Sequence, residues 1–308
     1  MKVPTYLLHG LRVRSEISLA ERLANGARPD VDVRWGELTP IPAGPPAGRV
    51  LAFGAPGVVG SMIVESESGV TIRLPAECEF RISRDRHAID IDVAPGFEKG
   101  LARILLTGNV LAALLNLQGA CVLHASAVCN DGWTLGILGV SGQGKSTLAA
   151  LCCSAGAQLV SDDLIRVDSD GGCPRCYSGT AQIRLRPKAA EIADLFPLDP
   201  RESTSDGRIA ITPAQATGPT FNLDALLVPL PSRRARQLRV RRLPKMEALV
   251  SLLGYPRVLG WDATEPIRCH FEVCAELAET VPVFEAKIPW VPPFTPQLAQ
   301  ILLEKLQT

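Results

Sequence analysis

Apolar and polar residues alternate along much of the first 95 positions of this 308-residue chain. Val31-Asp32-Val33-Arg34-Trp35 repeats with a period of two. So do Met62–Val64, Ile72–Leu74, Phe80–Ile82 and Ile89-Asp90-Ile91-Asp92-Val93. That period marks strands with one wet face. Glu67-Ser68-Gly69 and Arg84-Asp85-Arg86 separate such runs and predict hairpin turns, and Pro40–Gly48 (PIPAGPPAG) predicts a loop. The pattern predicts a β-rich amino-terminal domain over residues 1–95, with substrate docking as a candidate role.

The period then changes. Apolar residues at Leu101, Ile104, Leu105, Leu111, Leu114 and Leu115 predict a helix from about Phe97 to Leu117. The stretch Ile104–Leu123 holds 20 residues without a charge, as long as a membrane span. Thr107, Asn109, Asn116 and Gln118 interrupt it, so a buried helix is expected and no transmembrane segment. Trp133–Leu138 predicts a strand, Ser146–Ser154 a helix stopped by Gly156, and Ala157–Ser161 another strand. Asp168–Gly172 (DSDGG) predicts a tight turn and Glu202–Gly207 (ESTSDG) a mobile, exposed loop. Strands follow near Gln182–Leu185 and Leu223–Val228, and helices near Lys245–Leu253 and Pro296–Leu306. Residues 96–308 therefore read as an α/β domain.

Composition narrows the function classes. Lys plus Arg and Asp plus Glu each number 32, so the net charge is zero. Bulk attraction to nucleic acid or to an anionic membrane is not expected. Nine cysteines, an odd number, and an opening MKVPTYLLHGLRVRSE without a secretory core predict reduced thiols in a cytoplasmic protein. Cys173-Pro-Arg-Cys176 is a single CxxC without a second pair at finger spacing, so it reads as a turn with two ordinary thiols.

The chemistry concentrates after residue 120. Gly139-Val140-Ser141-Gly142-Gln143-Gly144-Lys145-Ser146-Thr147 matches G-x-x-x-x-G-K-[ST], the P-loop (Walker A) pattern. Its glycines let successive N–H groups point at phosphate oxygens, and the following helix offers its positive end. Lys145 can reach the β- and γ-phosphates, and Ser146 can give its hydroxyl to Mg²⁺. Asp162-Asp163 ends an apolar strand 17 and 18 positions after Lys145. Two adjacent acids allow one to hold Mg²⁺ and the other to accept a proton from an incoming hydroxyl. His124 lies on the apolar segment before the P-loop strand; taken alone, such a histidine is usually a core residue. Arg184 and Arg186 alternate on a predicted strand and can meet phosphate or an acidic substrate, or form a solvated face. Arg233, Arg234, Arg236, Arg239, Arg241 and Arg242 form a basic run that reads first as a solvated strand and loop.

Taken together, His124-Ala-Ser-Ala-Val128, Gly139–Thr147 and Leu159-Val-Ser-Asp-Asp163 resemble the kinase-like carboxy-terminal domain of the HPr serine kinase/phosphorylase family. Tyr6–Ile17 also resembles the start of shorter HPr-kinase-related proteins, some encoded in gene clusters for ribosomal peptides (RiPP biosynthesis), notably lasso peptides. The resemblance implies a phosphoenolpyruvate-carboxykinase-like fold with the P-loop in a mixed sheet. It implies ATP- and Mg²⁺-dependent phosphorylation of a Ser or Thr hydroxyl on a peptide or small protein. It implies Asp162 at the metal, Asp163 as base and His124 near the transferring phosphate. HPr kinases assemble as hexamers, so the resemblance leaves a homo-oligomer open. HPr kinases carry a Glu-x-Arg-Gly segment; the matching region here, Gly179–Pro187, has no Glu before Glu191. This argues against HPr as substrate and against the reverse, phosphorolytic reaction. A small-molecule acceptor such as free serine, and a nucleotide-sensing regulator without transfer, remain the alternatives.

Overall fold

The computed structural model describes residues 3–19, 28–55, 58–169, 172–196 and 202–307. The chain divides into two units: Met1–Val122 with Arg257–Cys269, and Leu123–Pro256 with His270–Thr308.

The first unit is built on eight strands: β1 (Thr5–Leu8), β2 (Leu11–Ser15), β3 (Val31–Leu38), β4 (Arg49–Ala55), β5 (Val58–Ser66), β6 (Gly69–Leu74), β7 (Cys78–Ser83) and β8 (Ala88–Val93). They form one sheet in the order β1-β2-β3-β8-β7-β6-β5-β4. From β8 to β4 the strands are antiparallel neighbours; β3 runs parallel to both β2 and β8. The alternation read from the sequence is what the sheet uses. Cys78, Phe80 and Ile82 of β7 are buried, while Glu79 and Arg81 between them reach solvent. Both expected hairpin turns form.

The apolar stretch that follows is helical: α1 (Lys99–Leu105), a π-helical turn at Leu106–Val110, then α2 (Leu111–Leu117). The widened turn coincides with Thr107, whose hydroxyl donates back to the Arg103 carbonyl at 3.1 Å. Lys99–Leu117 is long and apolar enough to cross a membrane, but 67% of its apolar window is buried inside the protein.

The unit boundary differs from the expected one at residue 95. Lys99 lies 5.0 Å over the Trp35 ring, and Arg86 donates to the Leu117 carbonyl. Those contacts bind the helix to the sheet, so it belongs to the first unit. A later segment joins the same unit. Trp261 bridges Ala52 and hydrogen-bonds Asn116 at 3.3 Å, and the Asp262 N–H meets the Leu51 carbonyl at 2.7 Å.

The strand β9 (Cys121–Leu123) straddles the boundary in the chain. The second unit continues with β10 (Ala125–Asn130), β11 (Trp133–Leu138), α3 (Lys145–Ser154), β12 (Gln158–Ser161), β13 (Ile165–Asp168), β14 (Arg175–Tyr177), β15 (Ile183–Leu185) and α4 (Ala190–Ala193). Then come β16 (Glu202–Ser203), β17 (Ile209–Ile211), β18 (Thr220–Asn222), β19 (Ala225–Ser232), β20 (Arg239–Arg242) and α5 (Lys245–Leu253). The helix α6 (Thr264–Thr280) is divided by the unit boundary in the chain, belonging to the first unit up to Cys269 and to the second from His270, and β21 (Val283–Pro289) and α7 (Pro296–Gln307) end the second unit.

The central sheet has the order β12-β10-β11-β19-β21-β20. It is mixed: β11, β19 and β21 run parallel, whereas β10 is antiparallel to both β11 and β12, and β20 is antiparallel to β21. The β10–β11 hairpin closes through Asp131-Gly132, both at positive φ, as a two-residue turn of the twisted type requires. Leu148 and Leu151 of α3 and Leu302 and Leu303 of α7 share one buried core with Leu135, Ile137, Leu227 and Ile288 of the sheet. Smaller sheets, β18-β14-β13 and β15-β17-β16, complete the unit.

The basic run is the solvated strand and loop expected: in part it is the exposed edge strand β20, where Arg241 pairs with Glu247 and Glu285 at 2.7 Å each. One expectation changes. The ESTSDG segment is not a mobile exposed loop: Glu202–Ser203 pairs with β17 and Thr204 is buried. Part of the predicted DSDGG turn, residues 170 and 171, lies outside the described residues.

Candidate functional site

Strand direction places the candidate residues on one edge. Because β12 and β11 are both antiparallel to β10, they point the same way, as do β19 and β21. The carboxyl ends of four strands therefore share an edge with the start of β10. In open α/β sheets that edge is where ligands bind.

The segment Gly139–Gly144 links β11 to α3. Gly139, Gly142 and Gly144 take φ of 153°, 88° and 92°. Gln143 pins the turn from within: its Oε1 accepts the Val140 N–H at 2.9 Å and its Nε2 donates to the Pro229 carbonyl of β19 at 2.9 Å. Lys145 is buried, with its Nζ folded back to the Val140 carbonyl at 3.2 Å. Ser146 and Thr147 are half-buried in the first turn of α3.

The acid pair follows β12. Asp162 is 3% exposed. Its Oδ1 accepts the Ser126 hydroxyl at 2.6 Å, and its carboxylate also hydrogen-bonds Ser146. Burial holds its carboxyl above the usual carboxylate range. The charge of Asp163 adds to that, while Ser126, Ser146 and Arg184 act the other way. A buried carboxylate beside a hydroxyl is a set of hard oxygen donors, and it fits Mg²⁺.

Asp163 faces the other way and is partly exposed. It takes φ of 71°, in the left-handed region that a β-carbon disfavours. Its Oδ1 is 3.4 Å from Nε2 of the buried His124, and its Oδ2 is 3.7 Å from Arg184. Arg184 is held at its far end by Asp206, at 2.6 Å, and Asp206 also takes Arg208 at 3.2 Å and the Thr204 hydroxyl at 2.5 Å. Arg186 lies just past β15 and donates to the Ser141 hydroxyl at 3.1 Å. The two arginines thus reach opposite parts of the edge, one the acid pair and one the glycine turn.

The structure brings His124, Ser141, Gln143, Lys145, Ser146, Asp162, Asp163, Arg184 and Arg186 to this edge. Three participants had no role assigned from the sequence. Ser126 sits within the His124–Val128 motif, and its membership of that motif was the available signal. Asp206 lay in the segment expected to be mobile. Trp290 follows β21 and packs on the turn: a β-carbon at Gly144 would stand 3.0 Å from Trp290 Cζ2. Burial pushes the Cys152 and Cys176 thiols up to about 12, which makes these two unreactive, and Cys173 alone of the CxxC pair is exposed.

No protein-family model and no curated protein matches this chain. Among solved structures, the HPr(Ser) kinase/phosphatase from Coxiella burnetii matches over 60% of this chain and 90% of that chain. The two are 15% identical with a TM-score of 0.34, a likeness too low to carry an argument about this protein.

Proposed function

We propose that this protein is an ATP- and Mg²⁺-dependent kinase that phosphorylates a Ser or Thr hydroxyl of a peptide or small protein. One observation carries the reading: two adjacent carboxylates beside a lysine-bearing glycine turn face different partners. Asp162 turns inward to Ser146, and Asp163 turns to His124 and the accessible edge. That is the division of labour which phosphoryl transfer needs.

In this reading the amides of Gly139–Gly144 and Lys145 hold the phosphates. Ser146 and Asp162 hold Mg²⁺, which neutralises charge on the phosphate oxygens when bound. Asp163 takes the proton of the acceptor hydroxyl. The hydroxyl oxygen bonds to the γ-phosphorus as the bond to the β–γ bridging oxygen breaks, and ADP leaves. His124 neighbours Asp163, its Nε2 3.4 Å from Oδ1, and holds that carboxylate in place. Arg186 and Arg184 stand where they can meet the transferred group or an acidic substrate. The acceptor class, including precursors of ribosomal natural products such as lasso peptides, follows from the sequence resemblance alone.

The test combines calorimetry with mass spectrometry. Lys145→Ala is expected to lose MgATP binding. Asp163→Asn is expected to keep MgATP binding and to lose transfer to a Ser-containing peptide by at least a hundredfold. HPr and free serine run as parallel acceptors. Unchanged affinity in Lys145→Ala removes the phosphate role of the turn, and retained transfer in Asp163→Asn removes the base.

A further inference from the structure

Trp290 follows the last residue of β21, the parallel strand two places from β11 in the sheet. Its backbone N–H bonds the Ser232 carbonyl at the end of β19, at 3.1 Å. Its ring reaches over to the glycine turn. Cζ2 and Cη2 would stand 3.0 and 3.3 Å from a β-carbon at Gly144. Phe294 packs against the ring, with centroids 4.9 Å apart and planes inclined at 54°. Both rings are only partly buried.

Packing explains part of this, since both rings touch the core under α3 and α7. It does not explain why the larger ring stays partly in water beside the glycine turn. A nucleotide whose phosphates lie in that turn, as proposed above, has the Trp290 ring within reach of its base. A rigid aromatic there offers stacking to any base with a large π-face.

We propose that Trp290, backed by Phe294, is the stacking surface for the purine base of the nucleotide. The inference rests on the nucleotide reading of the Gly139–Thr147 turn. The aromatic pair offers faces rather than a set of hydrogen-bonding groups, so selection is by ring size. ATP and GTP bind with similar affinity, and CTP and UTP bind more weakly.

The experiment compares MgATP, MgGTP, MgCTP and magnesium tripolyphosphate, which carries phosphates and no base, by calorimetry on the full chain. Trp290→Ala is expected to weaken ATP and GTP roughly tenfold and to leave tripolyphosphate within twofold of wild type. Trp290→Phe is expected to restore most of the ATP affinity. Unchanged ATP affinity in Trp290→Ala overturns the proposal. Equal loss of ATP and tripolyphosphate overturns it too, because the ring then only supports the turn. Wild-type affinity for CTP equal to that for ATP removes the ring-size selection. If wild type binds tripolyphosphate but Trp290→Ala leaves ATP untouched, the turn reading survives and only the base surface fails. If wild type binds neither, the turn reading falls and takes this inference with it.

Discussion

Asp162 costs the folded state free energy that a bound cation would return. Its carboxyl is held above the ordinary 3.8 by burial first and by Asp163 second. The folded protein therefore keeps a proton that the unfolded chain releases above about pH 4. Stability falls as pH rises from there through the folded pKa. Asp162→Asn removes the group that must ionise and keeps an oxygen for the Ser126 hydroxyl. At pH 7.5 without Mg²⁺ its Tm is expected above that of wild type, each unit of raised pKa being worth about 1.4 kcal/mol. At pH 3.5 the difference is expected to vanish. The added stability from MgATP, present in wild type, is expected to be lost. Thermal melts at the two pH values check all three, and a Tm below wild type at pH 7.5 rejects the account. Residues of this kind are only half legible in a sequence. Asp162-Asp163 stood out as a pair at the end of an apolar run, but which acid turned inward depended on Ser126 and Ser146. The 36-residue separation of Ser126 from Asp162 is closed only by the β10–β12 pairing.

At the level of elements, local spacing was readable and long-range partnering was not. The strand–turn–helix around Gly139–Gly144 is written in consecutive residues and forms where expected. Most strands of the first sheet keep their alternation and were equally plain. The helix α6 was not, although it is 17 residues long. Its Ile267 and Phe271 are 51% exposed while Cys274 and Leu277 are buried, so its apolar stripe is blurred all round. The hairpin β16–β17 was hidden by its polar composition, because ESTSDG has nothing apolar to bury. Its order comes instead from Asp206 closing on Arg184 and Arg208. The glycine turn itself invites a direct perturbation. Gly144 is at φ 92° with Trp290 against it, so Gly144→Ala meets both a backbone and a packing penalty. The backbone part alone is about 1–2 kcal/mol. Denaturant midpoints are expected to fall accordingly, and tripolyphosphate binding to weaken by more than tenfold. A variant as stable as wild type that binds tripolyphosphate normally contradicts this view of the turn.

The whole molecule changes how a role for the β-rich region must be tested. The sequence placed a boundary at residue 95, where strand alternation gives way to helix period. The chain does not separate there. The Lys99–Leu117 helix belongs with the eight-stranded sheet, as does the distant segment Arg257–Cys269. Alternation marks where one kind of element ends, whereas unit membership depends on contacts such as Lys99 with Trp35 and Trp261 with Ala52, which the period does not encode. A chain beginning at residue 96 would therefore keep this helix without its sheet. Leu105, Leu106, Val110, Leu111, Leu114 and Leu115, all buried in the full protein, belong to the unit that lost its strands. Such a chain is expected to aggregate or to melt without a cooperative transition, whatever the first unit does for substrate. Size-exclusion chromatography and a thermal melt decide it. A monomeric, cooperatively melting 96–308 chain that still binds MgATP would show that the helix tolerates loss of the sheet, and would restore residue 95 as a usable boundary. If the truncated chain fails, docking by the first unit has to be tested with substitutions on its exposed strand faces, where Arg34 and Arg81 stand outside the core. Loss of peptide affinity with unchanged MgATP affinity would then separate docking from folding.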